Sequence, residues 1–202
     1  MTAAVETSRG GRRLTPEARR AQLMQCAVTA FAAMGLERAT HAEAARLAGV
    51  SVPTAFVYFP TREDLLAAVL GEVERFLDQM VDASMSLDAS PEVRLAALAL
   101  AFSDAADRQS DLIRVWLDWS TAVRADVWPS YRRVEERIVA RAAAAIAEHR
   151  SGKPGKPSLA DKSAARMFVG SGHTVALMKL SHASVAEVDS LIGVLVRATL
   201  TA

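Results

Sequence analysis

The sequence predicts an all-α protein, and three observations carry that expectation. Alanine is abundant, and no stretch alternates apolar and polar residues with period two, as a half-buried strand would. Apolar residues recur instead at three- and four-residue spacing, which lines up one face of a helix. Helix-starting signals, a Ser or Thr before a Pro or an acid, stand ahead of these runs. Together they divide the chain into about nine helices, an N-terminal three-helix unit containing a helix-turn-helix and a larger helical domain behind it.

The elements follow in order. Thr15-Pro16-Glu17-Ala18 starts the first helix, with Leu23, Ala27, Ala30, Phe31 and Met34 as its apolar face and Gly35 as its stop. Two short helices, about Ala42–Ala48 and Val52–Phe59, come next. Thr61-Arg62-Glu63-Asp64 caps a long fourth helix carrying Leu65, Val69, Val73, Phe76, Leu77 and Met80. Ser90-Pro91-Glu92 opens a fifth through Leu95, Leu98 and Phe102, and Asp111 to Ala122 forms a largely buried sixth with Ile113, Trp116, Leu117 and Trp119. A seventh runs from about Asp126 to His149, before the loop Ser151-Gly152-Lys153-Pro154-Gly155-Lys156-Pro157. Leu159–Leu180 and Val185–Leu200 close the chain with wide apolar stripes.

Composition sets the outer bounds. A chain of 202 residues, 51% hydrophobic, can bury a real core. The formal net charge of +1 favours no partner, but its distribution does. The first twenty residues hold Arg9, Arg12, Arg13, Arg19 and Arg20 against Glu6 and Glu17, a basic arm suited to an anionic surface. A solvated tail without a partner is the plain alternative. The single Cys26 excludes an internal disulfide framework and a cysteine-based zinc site, and its neighbours Leu23, Met24, Ala27 and Ala30 place it in the core. No apolar run approaches bilayer length and no secretory signal opens the chain, so no membrane partner is expected and a cytoplasmic setting is. His41, His149, His173 and His182 are scattered without metal-ligand spacing. No phosphate loop or nucleophile motif appears, so neither catalytic residues, a metal nor a cofactor is expected.

The informative segment runs from Thr40 to Pro60. Two helices of about two turns meet at Gly49-Val50-Ser51. Ala44, Ala45 and Ala48 allow close approach, and Gly49 can take the left-handed conformation of a tight turn. Val50 and Ala55 plug the angle between the helices. Ser51 caps the second helix, and Pro53 falls in its first turn, where a missing N–H costs nothing. So short a helix makes physical sense as a probe braced by its neighbours and presented to a major groove. Val52, Pro53, Thr54 and Val57 are expected outward, Ala55, Phe56 and Phe59 inward, and the Tyr58 hydroxyl within reach of a phosphate. The structural alternative is a plain αα-corner.

The run Ala-Gly-Val-Ser…Tyr-Phe-Pro-Thr-Arg-Glu-Asp-Leu resembles the TetR-family DNA-binding domain from its second helix into its fourth. Three further stretches resemble the LuxR/HapR/SmcR-type quorum-sensing regulators: Gln22-Leu23-Met24, Phe59 to Leu65, and Val115-Trp116-Leu117-Asp118-Trp119-Ser120 with Asp126-Val127-Trp128-Pro129. The resemblance covers most of the chain and weakens after about residue 140. It implies residues 1–14 as a flexible basic arm, 15–60 as the DNA-binding domain, and 61–202 as a ligand-binding and dimerisation domain. Thr40, Ser51, Val52, Pro53, Thr54, Val57 and Tyr58 would then face DNA, and Thr61 with Arg62 would anchor phosphates at a helix N-terminus. Arg9, Arg12 and Arg13 would enter the minor groove. One departure matters: those relatives carry Asn where this chain has Val57, so their operator does not transfer.

The same resemblance implies an effector cavity behind the fourth helix. Its expected lining is Leu77, Met80, Trp116, Trp119, Tyr131, Glu135, Val139, Ser171, Gly172 and His173. Leu77 and Met80 replace two aromatic positions of the relatives and Glu135 replaces an Asn, so a different small molecule is expected. Residue by residue, Trp116 and Leu77 also read as ordinary core, and Glu135 among Arg132, Arg133 and Arg137 as a solvated ion-pair face. The last two helices would pair with their twofold mates, Gly170, Gly172 and Gly193 permitting close approach, to make a homodimer for a palindromic operator. Two alternatives stay open: a regulator that binds DNA without an effector, and a small-molecule-binding protein of this fold that has lost DNA binding.

Overall fold

A computed structural model describes residues 14–123 and 126–201. Among these the secondary structure is helical throughout: α1 (Pro16–Met34), α2 (His41–Ala48), α3 (Val52–Tyr58), α4 (Arg62–Met85), α5 (Pro91–Arg108), α6 (Ser110–Thr121), α7 (Trp128–Ser151), α8 (Leu159–Leu180) and α9 (Val185–Thr201). The expected all-α class is observed among the described residues. Arg9, Arg12 and Arg13 lie outside the described residues.

Local chemistry sets most boundaries. The side chains of Thr15, Thr40, Ser51, Thr61, Ser90 and Ser158 each accept a hydrogen bond from a backbone N–H in the first turn of the helix they precede. Thr61 with Asp64 and Ser158 with Asp161 complete reciprocal capping boxes. α7 begins at Trp128 rather than Asp126, because Pro129 fits the first turn and would remove a hydrogen bond further in.

Packing places a small head beside a larger body. α1 packs on α2, and α2 on α3, through the buried Leu23, Ala27, Phe31, Ala44, Ala45, Ala48, Ala55 and Phe59. In the body α8 packs against α5, α7 and α9, while α5 also meets α4, α7 and α9. One hydrophobic cluster is continuous from Leu23 of α1 through Leu65 and Val69 of α4 to Trp119, Ile146 and Phe168. Cys26 is half-buried against it rather than fully inside, and burial pushes its thiol pKa up. No helix of the described residues is long and apolar enough to cross a membrane.

Head and body are also joined by polar contacts on both flanks. The Arg62 guanidinium donates to the carbonyls of Leu36, Glu37 (2.7 Å) and Ala39 (3.2 Å), clasping the α1–α2 loop to the start of α4. On the other flank α6 takes hold of α1. The Asp118 carboxylate accepts the Leu36 N–H at 2.6 Å, and Asp111 accepts the Thr29 hydroxyl at 2.7 Å.

Candidate nucleic-acid interface and enclosed cavity

The turn between α2 and α3 has the geometry its residues require. Gly49 sits at φ 66°, ψ 34°, the left-handed region, and its N–H returns to the α2 carbonyls. Ser51 Oγ accepts the Thr54 N–H at 3.3 Å and lies 2.8 Å from the Thr54 hydroxyl. At the far end His41, buried on α2, brings Nε2 within 2.7 Å of the Phe59 carbonyl. Arg20 stands over the Phe59 ring, 5.1 Å from its centre. α3 is thereby fixed at both ends by α1 and α2, and its own side chains are left to face outward.

A helix of 100° per residue sorts α3 into rows. Ala55 is buried and Phe59, the cap residue, follows it inward. The opposite row is Pro53 and Val57, with Val57 77% exposed. One edge carries Thr54 and Tyr58, both half-buried, and the other Val52 and Phe56, both exposed. Phe56 corrects an expectation: it is 45% exposed and stacks on the His41 ring at 4.1 Å instead of entering the core. The volume under that edge is already filled by His41, whose role no local sequence signal gave away.

The expected phosphate anchors are placed less simply. Thr40 is exposed at the start of α2, and its side chain accepts the Glu43 N–H at 3.5 Å. Thr61 is exposed, and both its N–H and its hydroxyl are bonded to the Asp64 carboxylate. Arg62 points back to the α1–α2 loop. In this geometry its charge serves the head–body joint.

Behind α4 lies a partly enclosed cavity of about 60 Å³. Of the residues named for the effector site, Leu77, Met80, Trp116 and Gly172 line it. The remaining expected residues do not, among the described residues, and each has a physical reason. Trp119 is wholly buried, its indole N–H donating to the Val127 carbonyl at 3.0 Å across the α6–α7 joint. Tyr131 is buried against Trp116 and Trp128, and burial, then the neighbouring Glu135, push its phenol pKa up to about 12. Val139 is buried on α7 beside Ile138, which does line the cavity. The Ser171 hydroxyl returns to the Met167 carbonyl at 2.7 Å. Glu135 pairs with Arg132 at 3.1 Å, the ion-pair reading. His173 sits beyond Trp116, ring centres 6.3 Å apart. Burial lowers its pKa, partly opposed by the Gly170 carbonyl and Glu135.

Val81 of α4, Leu98, Ala99 and Phe102 of α5, Ile138 of α7, Phe168, Val169 and Val175 of α8, and Leu195 of α9 complete the wall, which is lined by apolar side chains. Gly172 is expected both in the cavity lining and at a close helix contact with a second copy. Its open side faces the Phe102 ring inside the cavity, where an added Cβ would stand 3.5 Å from Phe102 Cε1.

Residues 23–69, from within α1 into α4, match the family model of the bacterial regulatory proteins, tetR family, so this segment is similar to that family's helix-turn-helix domain. The chain is also similar to the HTH-type transcriptional regulator LuxR of Vibrio harveyi, 38% identical over 119 residues. That match covers 59% of this chain and 58% of LuxR, so it spans under two thirds of the relative's length. The fold resembles the TetR-like transcriptional regulator of Rhodococcus sp. RHA1, with TM-score 0.79 over 94% of this chain and 99% of that one at 18% identity. It also resembles FadR of Bacillus subtilis, solved with stearoyl-CoA: TM-score 0.70, 18% identity, 89% of this chain and 97% of that one.

Proposed function

We propose that the chain binds palindromic operator DNA as a homodimer, with α3 in the major groove, and that an apolar small molecule in the α4–α8 cavity modulates that binding. The supporting observation is the presentation of α3. A seven-residue helix is clamped at both ends by His41, Arg20 and the Gly49 turn, and its free face is turned away from the core. Thr54 and Tyr58 flank that face, and Thr40 stands exposed at the neighbouring helix start. The N-terminal Arg9, Arg12 and Arg13 would add charge along the minor groove.

Dimerisation is assigned to the outer faces of α8 and α9. Met167, Gly170, Thr174 and Leu177 form an exposed row on α8, with Val194, Arg197 and Ala198 exposed on α9. Gly170 has open space where a Cβ would stand, so a second copy can come close there. Two heads related by a twofold axis suit half-sites about one helical turn apart.

The cavity sets the effector's character. Its wall offers no charge, so an uncharged apolar molecule or chain is the ligand that loses least on leaving water. The acyl chain of the stearoyl-CoA bound by the Bacillus subtilis FadR has that chemistry. At about 60 Å³ the cavity is smaller than the roughly 300 Å³ at which ligand sites begin, so binding must spread its walls. Trp116 is on one such wall, and its helix holds α1 through Asp111 and Asp118. A ligand that prefers the spread cavity would therefore alter head spacing and DNA affinity. A part in cell-density signalling is the finest layer of this reading, and rests on resemblance alone.

Gel-shift titration on a site selected from random duplex DNA tests the reading. Affinity should fall steeply with salt as phosphate contacts are screened. Thr54→Ala and Tyr58→Phe should each weaken binding by about tenfold to a hundredfold, the value of about one hydrogen bond to a charged group, with the dimer intact. Parental affinity in both variants would contradict the placement of α3.

A further inference from the structure

The outward face of α3 holds an unusual set of side chains for a helix that reads bases. Between Val52 and Tyr58 there is no Arg, Lys, Asn, Gln, Asp or Glu. These are the side chains that reach hydrogen-bonding atoms on guanine, adenine or cytosine. The hydroxyls do not replace them at the centre. Thr54 is already bonded to Ser51 at 2.8 Å and stands, like Tyr58, on an edge. The central row, opposite buried Ala55, is Pro53 and Val57 one turn apart. Val57 is 77% exposed, the most exposed large apolar side chain of the helix-turn-helix. Arg46 of neighbouring α2 is paired with Glu43 at 2.6 Å.

The major groove displays one apolar group, the 5-methyl of thymine. Resting on the reading that α3 enters that groove, we propose that Val57, backed by Pro53, determines base specificity by packing against thymine methyl groups. An apolar side chain pressed on any other base edge would strip water from polar atoms without replacing its hydrogen bonds. Thymine alone repays the contact, because both partners leave water. The recognition is thus subtractive as well as attractive: sites with guanine or cytosine at that step are rejected for their unsatisfied edges.

The test uses full-length protein. A random duplex library yields the preferred site, and that duplex is then remade with deoxyuridine in place of thymine at one position at a time. Deoxyuridine removes the methyl and leaves the base pair unchanged. Anisotropy titration should find a thymine in each half-site whose methyl is worth about fourfold in affinity, and about fifteenfold when both half-sites are changed, the value of one buried carbon each. In Val57→Ala the thymine-to-deoxyuridine ratio at that position should fall toward one. Circular dichroism melts should coincide with the parent's, since the residue is exposed. The proposal is overturned if every deoxyuridine duplex binds like its thymine parent, or if the ratio survives in Val57→Ala. It is overturned equally if 7-deazapurines, which remove the N7 acceptor, cost more than deoxyuridine does. A library that yields no preferred sequence would remove the DNA-binding reading itself, and this inference with it.

Discussion

His173 shows how one side chain records its surroundings. It lies on α8 next to cavity-lining Gly172, and burial holds its pKa below the ordinary 6.5. The Glu135 carboxylate and the Gly170 carbonyl favour the charged form and offset part of that effect. The unfolded chain therefore takes up this proton before the folded one does as pH falls. Stability from this group is complete above about pH 6.5 and declines as pH drops through 6.5 toward the lower folded value. Urea midpoints measured from about pH 8 to about pH 5 should fall less steeply in His173→Gln than in the parent. Parallel slopes would mean that His173 is solvated like an exposed imidazole. The same residue marks the reach of sequence reading. A polar residue after Ser171-Gly172 suggested a cavity group, but only the packing of α6 shows that Trp116 lines the cavity while His173 lies against Trp116 outside the lining.

Helices report a sharper division between what was legible and what was not. Caps and turns were read correctly because their partners lie within a few residues: Thr61 and Asp64, Ser51 and Thr54, Gly49 and the α2 carbonyls. The tasks of Arg62 and His41 depend on atoms 18 to 26 residues away, and nothing local announces them. The cavity divides in the same way. Leu77 and Met80 follow from the face of α4, whereas the α5 wall of Leu98, Ala99 and Phe102 depends on which helix packs opposite. Gly172 gives this scale its prediction. In Gly172→Ala the new methyl would meet Phe102 at an ordinary contact distance of 3.5 Å, and alanine is a better helix former by about 1 kcal/mol. Thermal stability should rise while an apolar fluorescent probe, N-phenyl-1-naphthylamine, binds the cavity more weakly. Unchanged probe affinity would place the probe's site elsewhere.

At the scale of the whole molecule, the account joins three regions that the chain keeps far apart in sequence. α3 turns Val57 outward, α6 and the Arg62 clasp tie that head to the body, and α8 and α9 expose Met167, Leu177 and Val194, where the proposal places DNA and a second copy. Each has a cost if left unused. Exposed Val57, Met167 and Leu177 add little to the core of the single chain, and under the proposal they gain contacts from DNA or a second copy. The family resemblance was legible in the Gly49 turn and its flanks, where short-range geometry and residue identity coincide. Effector and operator were not, because both depend on side-chain surfaces assembled from several helices.

The most direct measurement is a hydroxyl-radical footprint on the site selected from random DNA, at about 0.15 M salt, where nonspecific contacts are weakened. The account predicts two protected patches related by a twofold axis, their centres about 10 base pairs or a multiple of that apart. A single unsymmetric patch, or uniform weak protection along the duplex, would contradict it.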